Sequence, residues 1–214
     1  TLPEAPLFLI ANEFFDALPV RQFRRDPAGW RERQVTLGPG GGLAFAWSAP
    51  APLAALAHRL DDTVPGDVVE IRPAAGPIAA EIGRRIADHG GAALIVDYGG
   101  WRSRGDTFQA VRGHGFDDPL AHPGEADLTA HVDFEALARA AAPAAHSTLV
   151  PQGVLLERLG IFHRAERLAQ ALSGGALAVH RAALRRLTHP GEMGRVFQSL
   201  AIHPAGGPVP PAYE

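Results

Sequence analysis

Two clusters of polar side chains stand at the ends of apolar runs. Asn12, Glu13 and Asp16 follow Leu7-Phe8-Leu9-Ile10-Ala11, and Asp97 and Tyr98 follow Ala92-Ala93-Leu94-Ile95-Val96. Short, wholly apolar runs read as strands buried on both faces of a parallel sheet. Ligands of such sheets bind beyond the carboxyl ends of the strands, so parallel neighbours would carry both clusters on one rim. Capping of a following helix is the alternative for Asp16 and Asp97, and it stays open. Glu13 is a poor cap. A carboxylate between a buried strand and Phe14-Phe15 must be paired, bind a ligand or carry a shifted pKa.

A third group comprises His114, Asp117, Asp118, His122, Glu125, Asp127, His131 and Asp133. These are metal-ligand residue types, but the spacings match no zinc signature and HExxH is absent. The group reads as loop ordering or substrate contact, and no metal is expected. Asp127-Leu128-Thr129 before Val132-Asp133-Phe134-Glu135 also has the look of a helix start. His180, His189 and His203 are scattered and read as structural or exposed.

Composition removes whole classes of chemistry. The 214 residues contain no Cys, and all 20 basic residues are Arg. Disulfides, thiolate metal sites, cysteine catalysis and lysine Schiff bases are therefore excluded. A net charge of −3 and a pI near 6.3 argue against a general nucleic-acid binder. The basic run Arg24, Arg25, Arg31 and Arg33 has few interleaved aromatics and reads as a solvated face. A hydrophobic content of 46% supports a real core, yet no apolar run approaches the ~20 residues that span a bilayer. No secretory leader is recognisable, and the chain enters a strand almost at once, as a cut chain would. No GxSxG or GxGxxG occurs, and Gly40-Gly41-Gly42 precedes a strand rather than a helix, unlike a phosphate loop.

Around these residues the pattern predicts a strand over Leu7 to Ala11, then an antiparallel meander from Val20-Phe23, Trp30-Leu37 and Leu43-Trp47. Val68 to Ile71 reads as a strand opening a second unit. A helix over Pro77 to Asp88 follows, with Ile78, Ile82 and Ile86 at a spacing of four and Gly90-Gly91 as its stop. Trp101 to Glu125 reads mostly as loop, with a strand at Phe108 to Arg112. Helices are expected over Phe134 to Ala142, Leu155 to Leu172 and Ala176 to Leu187. A closing strand is expected over Val196 to Ile202, and the Pro/Gly-rich tail from Pro204 reads as frayed.

The stretch ANEFFDALPVRQF (Ala11 to Phe23) resembles the MidA-like S-adenosylmethionine-dependent methyltransferases. The resemblance continues through GGAALIVDYG (Gly90 to Gly99), DTFQAVRGHGFDDPLAHPGEADLTAHVDF (Asp106 to Phe134), QGVLLERLGIFHRAERL (Gln152 to Leu168) and LTHPGEMGRVFQSLAI (Leu187 to Ile202). Five motifs in order, spanning nearly the whole chain, are far more specific than any one of them. The resemblance implies an α/β fold, the Rossmann-like sheet of class I methyltransferases, with Leu7 to Ala11 as its fourth strand and Ala92 to Val96 as its fifth. It divides the chain into a core over 1–100 with a β insertion at about 20–48, a mostly helical substrate cap over 101–187, and a closing strand and tail over 188–214. The family's first strands and glycine-rich cofactor loop would lie upstream of Thr1. Arg72 departs from the family, standing where a small polar residue is expected.

The resemblance further implies S-adenosyl-L-methionine as cofactor and direct displacement as mechanism. A substrate nitrogen attacks the sulfonium methyl in line, and the enzyme positions the groups and stabilises charge. Asn12 and Glu13 would border the transferring methyl and touch the cofactor. Glu13, then Asp16, would pair with a guanidinium. Asp97 and Tyr98 would line the cleft, and Asp127 and His131 would close over the substrate. Mitochondrial members are protein arginine methyltransferases that assist respiratory complex I assembly. The expected partner is therefore a protein, with a complex I subunit in view, and neither nucleic acid nor membrane is expected. Self-association, or pairing with an N-terminal part, would cover an open sheet edge. The expected compartment is a bacterial cytoplasm, or the mitochondrial matrix in a eukaryote. The alternative function is a non-catalytic assembly chaperone on the same fold.

Overall fold

A computed structural model describes residues 4–214, so the expected start of the core at 1–3 lies outside the described residues. The chain forms β1 (Leu7–Asn12), β2 (Arg21–Asp26), β3 (Gly29–Leu37), β4 (Leu43–Trp47), β5 (Val68–Ile71), α1 (Ala75–His89) and β6 (Gly91–Gly100). It continues with β7 (Gln109–Arg112), β8 (Gly115–Asp117), β9 (Asp127–Thr129), β10 (Val132–Asp133), α2 (Phe134–Ala140), β11 (Ala145–His146) and β12 (Val150–Pro151). The helices α3 (Gln152–Arg158), α4 (Ile161–Ala169), α5 (Gly174–Thr188) and α6 (Met193–Val196) lead into β13 (Phe197–His203).

The main sheet has the order β1-β6-β13-β11, with β10 also pairing β6 and β12 pairing β13. The two apolar runs pair in parallel, Leu7 opposite Gly91 and Asn12 opposite Val96, while β13 closes antiparallel on β6. The α1 residues Ala79, Ile82 and Ile86 bury against this sheet together with Ile95, Phe134, Leu137 and Leu200. Their spacing of three and four places them on one helix face. This is the expected α/β class.

Three elements differ from the sequence reading. β5 belongs to the meander sheet, order β4-β3-β2-β5, where Arg21 faces Ile71 across an antiparallel pair. A strand followed by a helix reads locally as a βα unit, but its pairing partner lies some fifty residues earlier. The strand expected at Phe108 to Arg112 forms as β7, and it gains two unforeseen partners, β8 within the segment read mostly as loop and β9 just beyond it. The tail is docked, with Tyr213 only 4% exposed among Val150, Leu155 and Ala201 and its hydroxyl bonded to Ser199 Oγ. The meander arginines are engaged as well. Arg31 pairs with Asp26 at 2.7 Å and Arg33 with Asp106 at 2.7 Å, while Arg24 stacks over Trp47 at 4.6 Å. These aromatics interleave across strands, which a scan along one strand does not reveal.

β1 corrects the expectation of burial on both faces. Phe8 is 82% and Ile10 74% exposed, and the outer edge of β1 has no partner among the described residues. An apolar, unpaired edge templates association. The 214-residue chain on its own is therefore expected to scatter light as an oligomer, and Ile10→Lys should return it toward the 22.6 kDa monomer. A concentration-independent monomer of the unaltered chain would show that this edge is not adhesive.

Candidate functional site

The parallel register delivers the carboxyl ends of β1 and β6 to one rim. The Glu13 N–H donates to the Val96 carbonyl at 3.0 Å, one step past the last strand pair. Glu13 then takes φ +50°, a left-handed conformation that non-glycine residues avoid and that clusters at functional sites. Asp97 holds the loop that follows. Its Oδ2 accepts the N–H groups of Phe15 at 3.1 Å and Asp16 at 3.2 Å, and its Oδ1 accepts that of Tyr98 at 3.0 Å. No helix begins at either aspartate, so the capping alternative fails in its simple form: Asp97 caps a distant loop.

Above this frame lies a cavity of about 880 Å³ walled by Glu13, Asp16, Tyr98, Asp127 and His131, with Gln109 and Val196 beside them. The structure thus brings together five side chains drawn from the three sequence clusters. Two others lie elsewhere. Asp97 is fully buried beneath the wall, and Asn12 faces the opposite side, its Nδ2 donating to Glu13 Oε1 at 3.2 Å. Glu13 itself is exposed, and the buried carboxylate on the wall is Asp16, at 4% exposure. Asp16 Oδ2 accepts the Tyr98 hydroxyl, and its Oδ1 accepts no hydrogen bond among the described residues.

Charge is unbalanced here. Glu13, Asp16 and Asp127 form no ion pair among the described residues. Burial, and then the charge of Asp16, pushes the Asp97 carboxyl up to about 7 against the pull of three backbone N–H groups. Burial and the hydrogen bond to Asp16 also push the Tyr98 hydroxyl upward, so it stays protonated and donating. His131 is exposed at the cavity wall, yet partial desolvation of its imidazole lowers it from its usual range, with Glu70 opposing and Arg72 reinforcing.

The raised Asp97 value has a stability consequence. The native state holds a proton on Asp97 that the unfolded chain releases near pH 4. Stability from this group is complete below about pH 4 and is lost as pH rises through about 7, at most about 4 kcal/mol. Thermal unfolding between pH 5 and 8 should show Tm falling with pH, and Asp97→Asn should flatten the slope. An unchanged slope in that variant would assign the pH dependence to another group.

The rest of the histidine-rich segment disperses. Asp117 pairs with His122 at 2.8 Å and Arg112 at 3.1 Å, and Arg112 also reaches Glu125 at 3.5 Å. Asp118 accepts the Leu120 N–H at 2.8 Å, and Asp133 caps α2 by accepting the Ala136 N–H at 2.9 Å. Among the described residues, no group of three or more His, Cys, Asp or Glu is placed to hold a metal.

Sequence reasoning assigned no role to Glu70 and Arg72. Arg72 donates through Nη1 to the His131 carbonyl at 2.6 Å, and through Nη2 to the carbonyls of Ala130 and, at 3.5 Å, Asp16. The legible signal was the spacing of two: Glu70, and Arg72 one residue past the end of β5, alternate with the core residues Val69 and Ile71.

On the far side of Asn12, β1 and α1 form an apolar groove of about 880 Å³ lined by Leu9, Ile10, Phe14, Pro77 and Ile78. Groove and acidic cavity meet at the Asn12–Glu13 corner. A mostly apolar groove with Asn12 and Glu81 as its polar side chains could hold a nucleoside-bearing cofactor.

Comparison with known proteins bears on this geometry. Residues 1–152 match the family described as "Putative S-adenosyl-L-methionine-dependent methyltransferase". "Protein arginine methyltransferase NDUFAF7, mitochondrial" from Xenopus tropicalis is 37% identical over 210 residues, covering 95% of this chain and 48% of that protein. Its Homo sapiens counterpart is 37% identical over 209 residues, covering 95% and 46%. A Burkholderia thailandensis protein crystallised with S-adenosyl-homocysteine superposes with a TM-score of 0.80 at 28% identity, covering 98% of this chain and 56% of that one. The chain spans about half the length of the curated relatives it matches.

Proposed function

Because the chain belongs to the S-adenosyl-L-methionine-dependent methyltransferase family that it matches over residues 1–152, the MidA-like family of its motifs, we propose that its acidic cavity receives the methyl acceptor of that reaction. The acceptor is an arginine side chain of a protein, and a respiratory complex I subunit is the candidate substrate. The observation that carries this reading is the set of carboxylates Glu13, Asp16 and Asp127, which form no ion pair among the described residues and outnumber the nearby Arg72, around one cavity beside an apolar groove. A guanidinium supplies the missing charge and donors in a planar fork that matches a carboxylate.

Asn12 and Glu13 would touch the cofactor at the corner where groove and cavity meet. When bound, the cofactor supplies a methyl group on a sulfonium centre. Asp16, which accepts the Tyr98 hydroxyl, supplies a buried negative charge behind the guanidinium, and the exposed Glu13 carboxylate meets its N–H groups. Asp97 fixes the loop geometry by gripping two successive backbone N–H groups. Among the described residues, no helix is long and apolar enough to cross a membrane. The compartment proposed for the reaction is the cytoplasm of a bacterium or a mitochondrial matrix.

The direct test uses the natural full-length polypeptide with methyl-labelled S-adenosyl-L-methionine and arginine-containing proteins. Label recovered in methylarginine is the expected result. Cofactor-independent capture of a protein without label transfer would support the assembly-chaperone alternative instead.

A further inference from the structure

The His131 backbone is gripped from both ends, by Arg72 just after β5 and by Thr107, which Glu70 of β5 holds in turn. Its carbonyl accepts from Arg72 Nη1 at 2.6 Å. Its N–H donates to Thr107 Oγ1 at 2.8 Å. That hydroxyl in turn donates to Glu70 Oε2, and the Thr107 N–H donates to Glu70 Oε1 at 3.0 Å. Glu70, 1% exposed, also accepts from Gln22 Nε2 at 2.7 Å. The imidazole itself forms no hydrogen bond among the described residues. It stands at the cavity wall, edge-on to the Tyr98 ring at 5.8 Å. A buried polar chain that fixes a backbone, while its side chain is left free to face a cavity, positions that side chain for a ligand.

We propose that His131 is the proton acceptor of the reaction, and that Glu70 and Arg72 are the positioning residues that hold it at the acceptor nitrogen. This rests on the methyl-transfer reading above. Transfer makes one N–C bond and breaks one C–S bond, and sulfur keeps the bonding pair. The nitrogen must then shed one proton, which passes to the unprotonated imidazole and from there to water at the cavity mouth. The carboxylates around the site are suited to bind the cation, whereas a neutral imidazole is matched to taking its proton near pH 7. The charged and titratable groups packed around the ring come from every neighbouring element: Glu13 and Asp16 after β1, Glu70 and Arg72 on or just after β5, Tyr98 on β6 and Asp127 on β9. Partial desolvation and the Arg72 charge favour the neutral imidazole, and Glu70 opposes them.

The test uses the full-length polypeptide, with His131→Asn, Arg72→Lys and Arg72→Ala. His131→Asn should lower kcat about 10²-fold or more and remove the acidic limb of the kcat–pH profile. Calorimetric affinity for S-adenosyl-homocysteine should stay within about twofold. Without cofactor, proton NMR of the imidazole should show it titrating below the usual histidine range, and Arg72→Ala should move that titration while Arg72→Lys restores much of it. A His131→Asn enzyme with unaltered kcat and pH profile would overturn this proposal alone. An unaltered protein that transfers no methyl group would overturn the functional reading, and this proposal with it.

Discussion

Replacing Asp16 by Asn is expected to cut methyl transfer about 10²–10³-fold, roughly 3–4 kcal/mol of transition-state stabilisation, without loss of fold. The shape of the side chain is conserved, and its amide oxygen can still accept the Tyr98 hydroxyl. What disappears is the charge of the wall's buried carboxylate, 4% exposed and with one buried oxygen that accepts no hydrogen bond among the described residues. Near a desolvated carboxylate, a guanidinium loses far more by that change than it would at a solvated one. Glu13→Ala should therefore cost less, because Glu13 is exposed and screened by water. Stability supplies the second readout. The charge of Asp16 helps to raise Asp97 to about 7, so Asp16→Asn should lower the Asp97 titration and weaken the fall of Tm between pH 5 and 8. A variant with normal turnover would remove Asp16 from the site. A variant with normal pH-dependent stability would mean that the two carboxylates do not sense one another.

The comparison of Asp16 with Glu13 shows where sequence reading reaches and where it stops. The rim was legible because two uninterrupted apolar runs, each ending in acid, imply parallel neighbours, and Asn12 does stand opposite Val96. Burial within the rim was not legible. Glu13 follows apolar residues in sequence, yet its left-handed turn carries it into the open, while Asp16 is covered by a loop that Asp97 pins from 81 residues away. The same limit applies to β5. Its valines and isoleucine announced a strand, but the partner Arg21–Arg24 is a long-range choice that no local pattern encodes. Once β5 joins the meander, Glu70 and Arg72 become the supports of His131 rather than residues leading into a helix. The docked Tyr213 makes a similar point, because a Pro/Gly-rich tail looks mobile until one aromatic ring finds a pocket.

The close seating of β10 on β6 should make Gly99→Ala one of the most damaging small substitutions in the molecule. Gly99 has φ +155°, and a Cβ built there would lie 2.2 Å from the Val132 carbonyl oxygen and 2.6 Å from its nitrogen. Backbone strain and overpacking each cost about 1–3 kcal/mol, so a loss of about 3–5 kcal/mol is expected. For a domain of this size that corresponds to a fall in Tm of roughly 10 °C or more. Gly100, the next residue, is the control. A Cβ there finds nothing nearer than 3.8 Å, so Gly100→Ala should cost about 1 kcal/mol or less. The two substitutions differ in backbone strain and in whether they push on Val132, the residue that follows His131. Gly99→Ala should therefore also disturb the cavity wall, lowering turnover more than its unfolded fraction explains. Equal urea midpoints for the two alanine variants would mean that β10 does not run against β6 as described, and that the backbone of His131 is anchored by Arg72 and Thr107 alone.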